Sequence, residues 1–269
     1  MQQEYDFHDI APVQEMNAFE ADRGILYVTD EPDGYQRLKA QGCYVVPYVH
    51  EGNRDAIFPD AHYIVEGLQE LEREDLEGIY RRMAGLPWEI LETDRCLVRE
   101  TIEADLDSFY TIYSDPSITK YMEDLCPDRQ QALDYIRDYR KYVYDFYGYG
   151  MWTVLERQSG QVIGRAGLSM REGFEIPELG FVIGLPWQRQ GYAYEVCGAI
   201  LQLAGQELGM EQVQAFVLRE NTPSARLCER LGFVRCGQKQ LQDGRLYDRY
   251  EKMVTDCQVA ENVAGSGKI

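Results

Sequence analysis

The sequence predicts an α/β fold in two parts, a small domain followed by a larger one whose strands form a sheet covered by helices. Short apolar runs alternate with amphipathic helical stretches through most of the 269 residues, which is the pattern of sheets covered by helices. Gly-Leu-Pro at 85–87 interrupts this pattern, because glycine and proline end helices. We therefore predict a small α/β accessory domain at 1–92, a larger domain at 93–255 and a flexible tail at 256–269.

Each element is predicted from hydrophobic periodicity and from the turn residues that bound it. The first domain has the order strand, helix, strand, strand, helix, at 24–30, 34–41, 43–49, 62–65 and 68–83. In the second domain, strands are predicted at 95–100, 151–156, 162–170, 178–184, 213–218, 233–238 and 245–254. Its helices are predicted at 103–113, 128–146, 193–208 and 222–231. Asp243 and Gly244 indicate a hairpin turn between the last two strands.

Composition excludes several functional classes. With 46 acidic against 27 basic residues, the net charge is −19. A negative charge of this size repels nucleic-acid phosphates and attracts cations such as amines. The alternative is that the acidity only keeps the protein soluble. No stretch approaches the ~20 apolar residues that span a bilayer, and no basic region precedes an apolar run at the N-terminus. We expect a cytoplasmic protein that binds neither nucleic acid nor membrane. Its seven cysteines include no C-x-x-C pair and its three histidines lack metal-ligand spacing, so no disulfide and no metal is predicted.

The most informative stretch is ELGFVIGLPWQRQGYAYE at 178–195, where a strand runs through a loop into a helix. The loop and the start of the helix consist of Gln188, Arg189, Gln190, Gly191, Tyr192 and Ala193. Glycine lets backbone amides point inward together, and the helix N-terminus adds partial positive charge, so the loop suits a diphosphate. Arg189 could add a charge-assisted contact. An ordinary strand-turn-helix corner is the alternative. The loop is neither a Walker A motif nor a dinucleotide fingerprint, so another diphosphate-bearing cofactor is indicated.

This loop resembles the phosphate loop of the GCN5-related N-acetyltransferase (GNAT) superfamily, Gln/Arg-x-x-Gly-x-Gly/Ala, at Gln188, Gly191 and Ala193. A second resemblance is the segment NTPSARLCERLGF at 221–233, which in the family is a helix headed by Asn beside the pantetheine arm. The resemblance covers about 95–253 and is greatest to the branch that acetylates ribosomal-protein N-termini. It implies a GNAT fold with a mixed, splayed central sheet flanked by helices. It also implies acetyl-CoA as acyl donor without a metal, and a primary amine as acceptor, either a protein N-terminus or a small amine.

The resemblance also implies roles for individual residues. The backbone amide of Phe181 would polarise the thioester carbonyl, Ile183 would hold the pantetheine beside Val182, and Asn221 and Ser224 would contact the cofactor. Asn221 and Ser224 are equally suited to capping their helix. The loop residues Gln188, Arg189, Gln190, Gly191, Tyr192 and Ala193 would bind the diphosphate.

Glu178 is the leading candidate for the base that takes a proton from the acceptor ammonium; the alternative is a strand-end carboxylate facing solvent. Family members commonly use a Tyr as general acid where this chain has Cys228. Ser224, one turn earlier on the same helix, is the substitute that the ribosomal-protein branch suggests. Cys228 itself is expected to be a small buried residue.

The stretch 135–152 interleaves tyrosines with aspartates, which suits a cationic amine if the rings line the acceptor side, as this region does in the family. The alternative is that the rings belong to the core and the carboxylates to a solvated face.

The first 92 residues loosely resemble a truncated haloacid-dehalogenase-like domain, but Asp30 has no Asp-x-Asp partner there. Three functions stay open: an N-acetyltransferase, an acyl-CoA-binding sensor with little activity, and a bifunctional protein. The acceptor and the oligomeric state are left open as well.

Overall fold

The computed structural model describes residues 24–68, 73–122 and 124–255. Within these ranges the chain divides into two compact units, of which the first ends at Trp88 and the second begins at Glu89. The tail predicted after residue 255 lies outside the described residues.

The first unit contains a three-stranded parallel sheet with the strand order β1-β2-β3. Its elements are β1 (Leu26–Thr29), α1 (Pro32–Ala40), β2 (Tyr44–Val49), β3 (Val65–Glu66) and α2 (Arg73–Met83). The apolar runs of β1 and β2 are buried at Leu26, Val45 and Val46, as expected for parallel strands covered by helices. The predicted order of elements is therefore observed, with a third strand of only two residues.

The second unit contains an eight-stranded sheet with helices on both faces. Its strands are β4 (Glu89–Glu92), β5 (Cys96–Arg99), β6 (Met151–Glu156), β7 (Val162–Ser169), β8 (Glu178–Ile183), β9 (Gln212–Leu218), β10 (Val234–Gln240) and β11 (Leu246–Met253). Its helices are α3 (Leu106–Tyr113), α4 (Pro116–Thr119), α5 (Arg129–Tyr139), α6 (Asp145–Tyr147), α7 (Tyr192–Gln206) and α8 (Thr222–Arg230).

The strand order is β10-β11-β9-β8-β7-β6-β5-β4, and every neighbouring pair is antiparallel except β8 with β9. Alternate residues of β8 face opposite sides of the sheet. Leu179 packs in the core cluster that contains α7, whereas Val182 packs with Phe109 of α3 on the other side. The two helical layers therefore meet the sheet on opposite faces.

Strand β4 belongs to the second unit by its hydrogen bonds. It pairs antiparallel with β5, with Glu89 opposite Arg99 and Glu92 opposite Leu97. These four residues were predicted to end the first domain, because Gly-Leu-Pro at 85–87 interrupts the helical pattern and the first predicted strand of the second domain begins only at residue 95. Strand pairing extends the second sheet instead.

The aromatic stretch that sequence analysis singled out divides between core and surface. Tyr144 and Trp152 are completely or almost completely buried, at 0% and 1% exposure, whereas Tyr142 and Tyr147 are exposed. The Tyr144 hydroxyl donates to the Met151 carbonyl at 2.6 Å. Burial favours the neutral phenol and raises the pKa of Tyr144. Tyr144 and Trp152 are therefore core residues that fix this stretch to β6.

Two glycines of α7 give a matched test of the packing. Glycine inside a helix is normally less favourable than alanine by about 1 kcal/mol. At Gly205, however, an added Cβ would lie 2.1 Å from the Val254 carbonyl oxygen, whereas at Gly198 it would meet only Leu231, at 3.9 Å. We expect Gly198→Ala to stabilise the protein and Gly205→Ala to destabilise it by about 1–3 kcal/mol, as overpacking does. Urea unfolding of both variants checks this, and stabilisation by Gly205→Ala would contradict the packing described.

Candidate active site

The central sheet opens between β8 and β9. These parallel strands are joined by a single residue pair, Glu178 with Gln214, after which no further pairing follows along β8. The Gln214 amide donates to the Pro177 carbonyl at 2.9 Å, and the buried Gln214 side chain donates to the Ile176 carbonyl at 2.6 Å. These bonds fasten the closed end of the opening.

The edge of β8 that faces the opening carries backbone groups of alternate residues. Since the Pro177 carbonyl points to β9, the backbone amides and carbonyls of residues 179, 181 and 183 point to the same side. The amides of Phe181 and Ile183 are thus directed into the opening, while the Ile183 carbonyl accepts from Gln188 Nε2 at 2.8 Å. An extended ligand could pair with such an edge as an added strand would.

The opening leads to the loop before α7, whose backbone bends through two left-handed residues. Arg189 has φ of 59° and Gly191 has φ of 90°, a region that glycine enters without steric cost and other residues rarely enter. Gly191 is the N-cap of the 15-residue helix, and no side chain caps its first amides. Ala193 lies in the first turn, and the exposed Arg189 has no ion-pair partner among the described residues. Uncapped amides at a helix N-terminus attract anions.

A cluster of distant residues fixes this loop, and sequence reasoning missed it. Arg95 donates to the Gln190 carbonyl at 2.9 Å and to the Glu195 carboxylate at 2.7 Å, and its guanidinium lies 4.4 Å from the Tyr192 ring centroid. Thr93 also donates to Glu195, at 2.7 Å. About 100 residues separate Arg95 from these partners, so no local sequence pattern indicates the cluster.

The charge of Glu195 would oppose an anion at the start of α7, but Arg95 neutralises it. Burial favours the protonated form of Glu195, yet the hydrogen bonds donated by Thr93 and Arg95 outweigh it and lower the pKa of Glu195. The hydrogen bond to Glu195 also raises the pKa of Arg95. The loop therefore keeps its positive end.

Glu178 lies at the closed end of the opening, in a bidentate ion pair. Its two carboxylate oxygens accept from Arg171 Nε at 2.5 Å and Nη2 at 3.0 Å. The Glu178 side chain is 11% exposed and that of Arg171 is 42% exposed. The Glu178 carboxylate is therefore not a solvent-facing group, which was the alternative interpretation, and it is already paired with a cation. Arg171 is a second residue near the site that the sequence did not indicate.

Helix α8 begins at the far end of β9 and carries three of the sequence-predicted residues. The Asn221 side chain accepts from the Ser224 amide at 3.3 Å, so Asn221 caps the helix. Ser224 is half-buried, and Cys228, one turn further, is completely buried. Tyr121, from the segment after α4, donates its hydroxyl to the Glu220 carbonyl at 3.4 Å beside this helix start. It is a further aromatic side chain near the site that the sequence did not single out.

Burial makes Cys228 a poor nucleophile. It raises the pKa of the Cys228 thiol to about 12, so the thiolate is scarcely populated at neutral pH. We expect iodoacetamide to label the half-buried Cys126 and the exposed Cys236 of the native protein while sparing Cys228. Peptide mass spectrometry before and after unfolding measures this, and rapid native labelling of Cys228 would contradict its burial.

Comparison with known families assigns this architecture. The model of the acetyltransferase (GNAT) domain matches residues 95–234, slightly more than half of the chain. The chain belongs to the GNAT family. It is accordingly an acyl-CoA-dependent N-acyltransferase, and acetyl-CoA is the general donor of GNAT enzymes.

Individual relatives agree with this assignment. The chain is 27% identical over 168 residues to the uncharacterized N-acetyltransferase YoaA of Bacillus subtilis, covering 59% of this chain and 92% of that protein. It is 29% identical to the uncharacterized N-acetyltransferase p20 of Bacillus licheniformis, covering 60% and 93%. A GNAT-family acetyltransferase structure from Bordetella pertussis aligns with a TM-score of 0.53 and 27% identity, over 61% of this chain and 99% of that one.

These matches confirm the predicted α/β GNAT fold of the second unit. They lend no support to the haloacid-dehalogenase-like resemblance of residues 1–92. Among the described residues, no helix is long and apolar enough to cross a membrane, and no cluster of three potential metal ligands occurs in that same part of the chain.

Proposed function

We propose that this GNAT enzyme transfers the acetyl group of acetyl-CoA directly to a primary amine while both substrates are bound. The observation that carries the proposal is the continuous path from Glu178, along the unpaired edge of β8, to the uncapped start of α7. One end offers a carboxylate, the middle offers backbone donors, and the far end offers an anion site.

In this proposal each part of the path would contact one part of the donor. The loop Gln188, Arg189, Gln190, Gly191, Tyr192 and Ala193 would hold the diphosphate, with Arg189 as the charged side chain. Ile183 and Val182, with Asn221 and Ser224 across the opening, would line the pantetheine arm. Because Asn221 Oδ1 already accepts from the Ser224 amide, its amide group remains as the donor toward the ligand.

The residues at the closed end would then perform the chemistry. Glu178 takes a proton from the acceptor ammonium, and the neutral amine forms the new C–N bond at the thioester carbonyl. The Phe181 amide donates to the carbonyl oxygen as negative charge develops there. The attacking nitrogen then loses its second proton to solvent, the C–S bond breaks, and the Ser224 hydroxyl donates a proton to the departing thiolate and recovers one from solvent.

The acceptor is a protein N-terminus or a small amine. A structure described as a candidate ribosomal-protein-serine acetyltransferase from Vibrio cholerae aligns over 61% of this chain with a TM-score of 0.51 at 20% identity. This match supports the fold. That this chain belongs to the branch acting on ribosomal proteins is part of the proposal. The alternative function, an acyl-CoA-binding sensor with little activity, is favoured by two observations. Glu178 is already paired with Arg171, and the buried Cys228 stands where the family resemblance leads us to expect a tyrosine as general acid.

Thiol release from acetyl-CoA tests both functions against a panel of amino acids, polyamines, aminoglycosides and peptides with free N-termini. We expect turnover with one class and initial-velocity lines that intersect when both substrates are varied, as a ternary complex requires. Parallel lines would indicate a covalent acyl-enzyme and contradict direct transfer. Measurable acetyl-CoA binding without turnover on any acceptor would favour the sensor.

A further inference from the structure

A cavity of about 500 Å³ adjoins the closed end of the opening. Glu178 and Arg171 line it together with Phe174 from the β7–β8 loop and Lys239 from the β10–β11 hairpin. Since Glu178 is the proposed base and lines this cavity, an acceptor amine bound in the cavity would lie next to it. The charges of its lining therefore bear on which amines fit.

The lining is cationic as well as anionic, although the whole chain carries a net charge of −19. Phe174 packs edge-on against Phe216, with ring centroids 4.9 Å apart. The Arg171 guanidinium lies 5.6 Å from the Phe216 ring, and Lys239 Nζ lies 5.8 Å from the Phe174 ring. Glu172 also lines the cavity, where its carboxylate accepts from Gln242. Phe174, supported by Phe216 behind it, is thus the aromatic part of a lining that also holds the two cations Arg171 and Lys239.

The two cations differ in their present partners. Arg171 is paired with Glu178, whereas Lys239 has no ion-pair partner among the residues that the structure describes. A simple amine or polyamine would gain nothing from either cation and would meet repulsion from Lys239. An acceptor with an anionic group close to its amine would gain from both.

We propose, on the basis of the acetyltransferase function above, that the acceptor is a free amino acid whose carboxylate takes the place of Glu178 on Arg171. The bidentate geometry of Arg171 suits any carboxylate equally. When the acceptor carboxylate binds Arg171 and Lys239, Glu178 is released from Arg171 and pairs with the acceptor ammonium beside it. The base is thereby made available only when an acceptor of this class is bound.

The test compares the twenty L-amino acids with the same amino acids as carboxamides, using thiol release from acetyl-CoA by the full chain. We expect kcat/KM for the best amino acid to exceed that for its carboxamide by about tenfold to a hundredfold, the value of a hydrogen bond to a charged group. Arg171→Gln should lower this acid-to-amide ratio by about tenfold, leaving only the part of the discrimination that Lys239 supplies.

Lys239→Gln provides a second variant that leaves the Arg171–Glu178 pair intact. It should raise KM for the amino acid without changing KM for the carboxamide, whereas Lys252→Gln, outside the cavity, should change neither. The acid-to-amide ratio is measured within one preparation, so partial misfolding of a variant does not alter it.

The inference is overturned if carboxamides or polyamines react as well as amino acids, or if Arg171→Gln and Lys239→Gln keep the full discrimination. Turnover of other amines that is lost in Glu178→Gln would overturn the amino-acid acceptor while leaving the acetyltransferase function standing. Failure of every acceptor, with acetyl-CoA still bound, would overturn both.

Discussion

Glu178→Gln is expected to lower kcat by about a hundredfold to ten-thousandfold, the usual contribution of a positioned general base. The amide keeps the size of the side chain but cannot take a proton from the acceptor ammonium. Arg171 is partly exposed, so water can solvate its guanidinium when the carboxylate is lost. The fold and the affinity for acetyl-CoA should therefore persist, as circular dichroism and isothermal titration of the donor will show.

Glu175→Gln is the matched control, since Glu175 is an exposed carboxylate in the β7–β8 loop, three residues before Glu178 at the start of β8. It should retain the activity of the unmodified protein. If Glu178→Gln retained it too, the proton would leave by another route, and Glu178 would be a structural partner of Arg171 alone.

Gly191→Val is expected to weaken acetyl-CoA binding by about tenfold to thirtyfold. A residue with a Cβ pays about 1–2 kcal/mol in the left-handed region, and a β-branched one is less tolerated still. The φ of Gly191 is 90°, and an added Cβ would also meet Arg95 Nη2 at 3.3 Å. The loop amides would then turn away from the diphosphate, which titration of acetyl-CoA into the variant measures directly.

Gly160→Val separates this effect from general destabilisation. Gly160 has φ of 69° in the β6–β7 connection, with nothing within 4 Å of an added Cβ. The Gly160→Val variant should lower the thermal midpoint as Gly191→Val does, and it should leave the affinity for acetyl-CoA unchanged. If the unmodified protein and both variants bound acetyl-CoA with equal affinity, the diphosphate would have to bind elsewhere.

The fold was predictable where the local pattern is strong. Helix α7 and strands β6 to β9 begin and end within one or two residues of the predicted bounds, because alternating or 3.6-residue periodicity and flanking glycines define them locally. Strand β4 was predicted to lie in the first domain, whereas it pairs with β5 in the second unit. Its partner β5 decides its membership, and pairing of edge strands is a tertiary property.

The site was predictable in part for the same reason. The loop at 188–193 and the start of α8 are continuous segments whose residue types suit their backbone conformation, so the sequence indicated both. Arg171 and Glu178 are only seven residues apart, yet their ion pair depends on how the β7–β8 loop folds back. Arg95 directly precedes β5, which lies three strands away from β8 in the sheet, and it reaches the loop that follows β8 only in the folded protein.

The amino-acid sequence by itself determined the family, the order of elements and the loop that we propose for the diphosphate, because these depend on short-range pattern and on residues that are close along the chain. The tertiary structure decided the ion pairing of the candidate base, the cluster that fixes the loop at 188–193 and the charges of the cavity beside Glu178. Each of these is set by side chains that meet only after the sheet has formed, and the strength of an ionic contact depends on burial and distance, which no local pattern encodes.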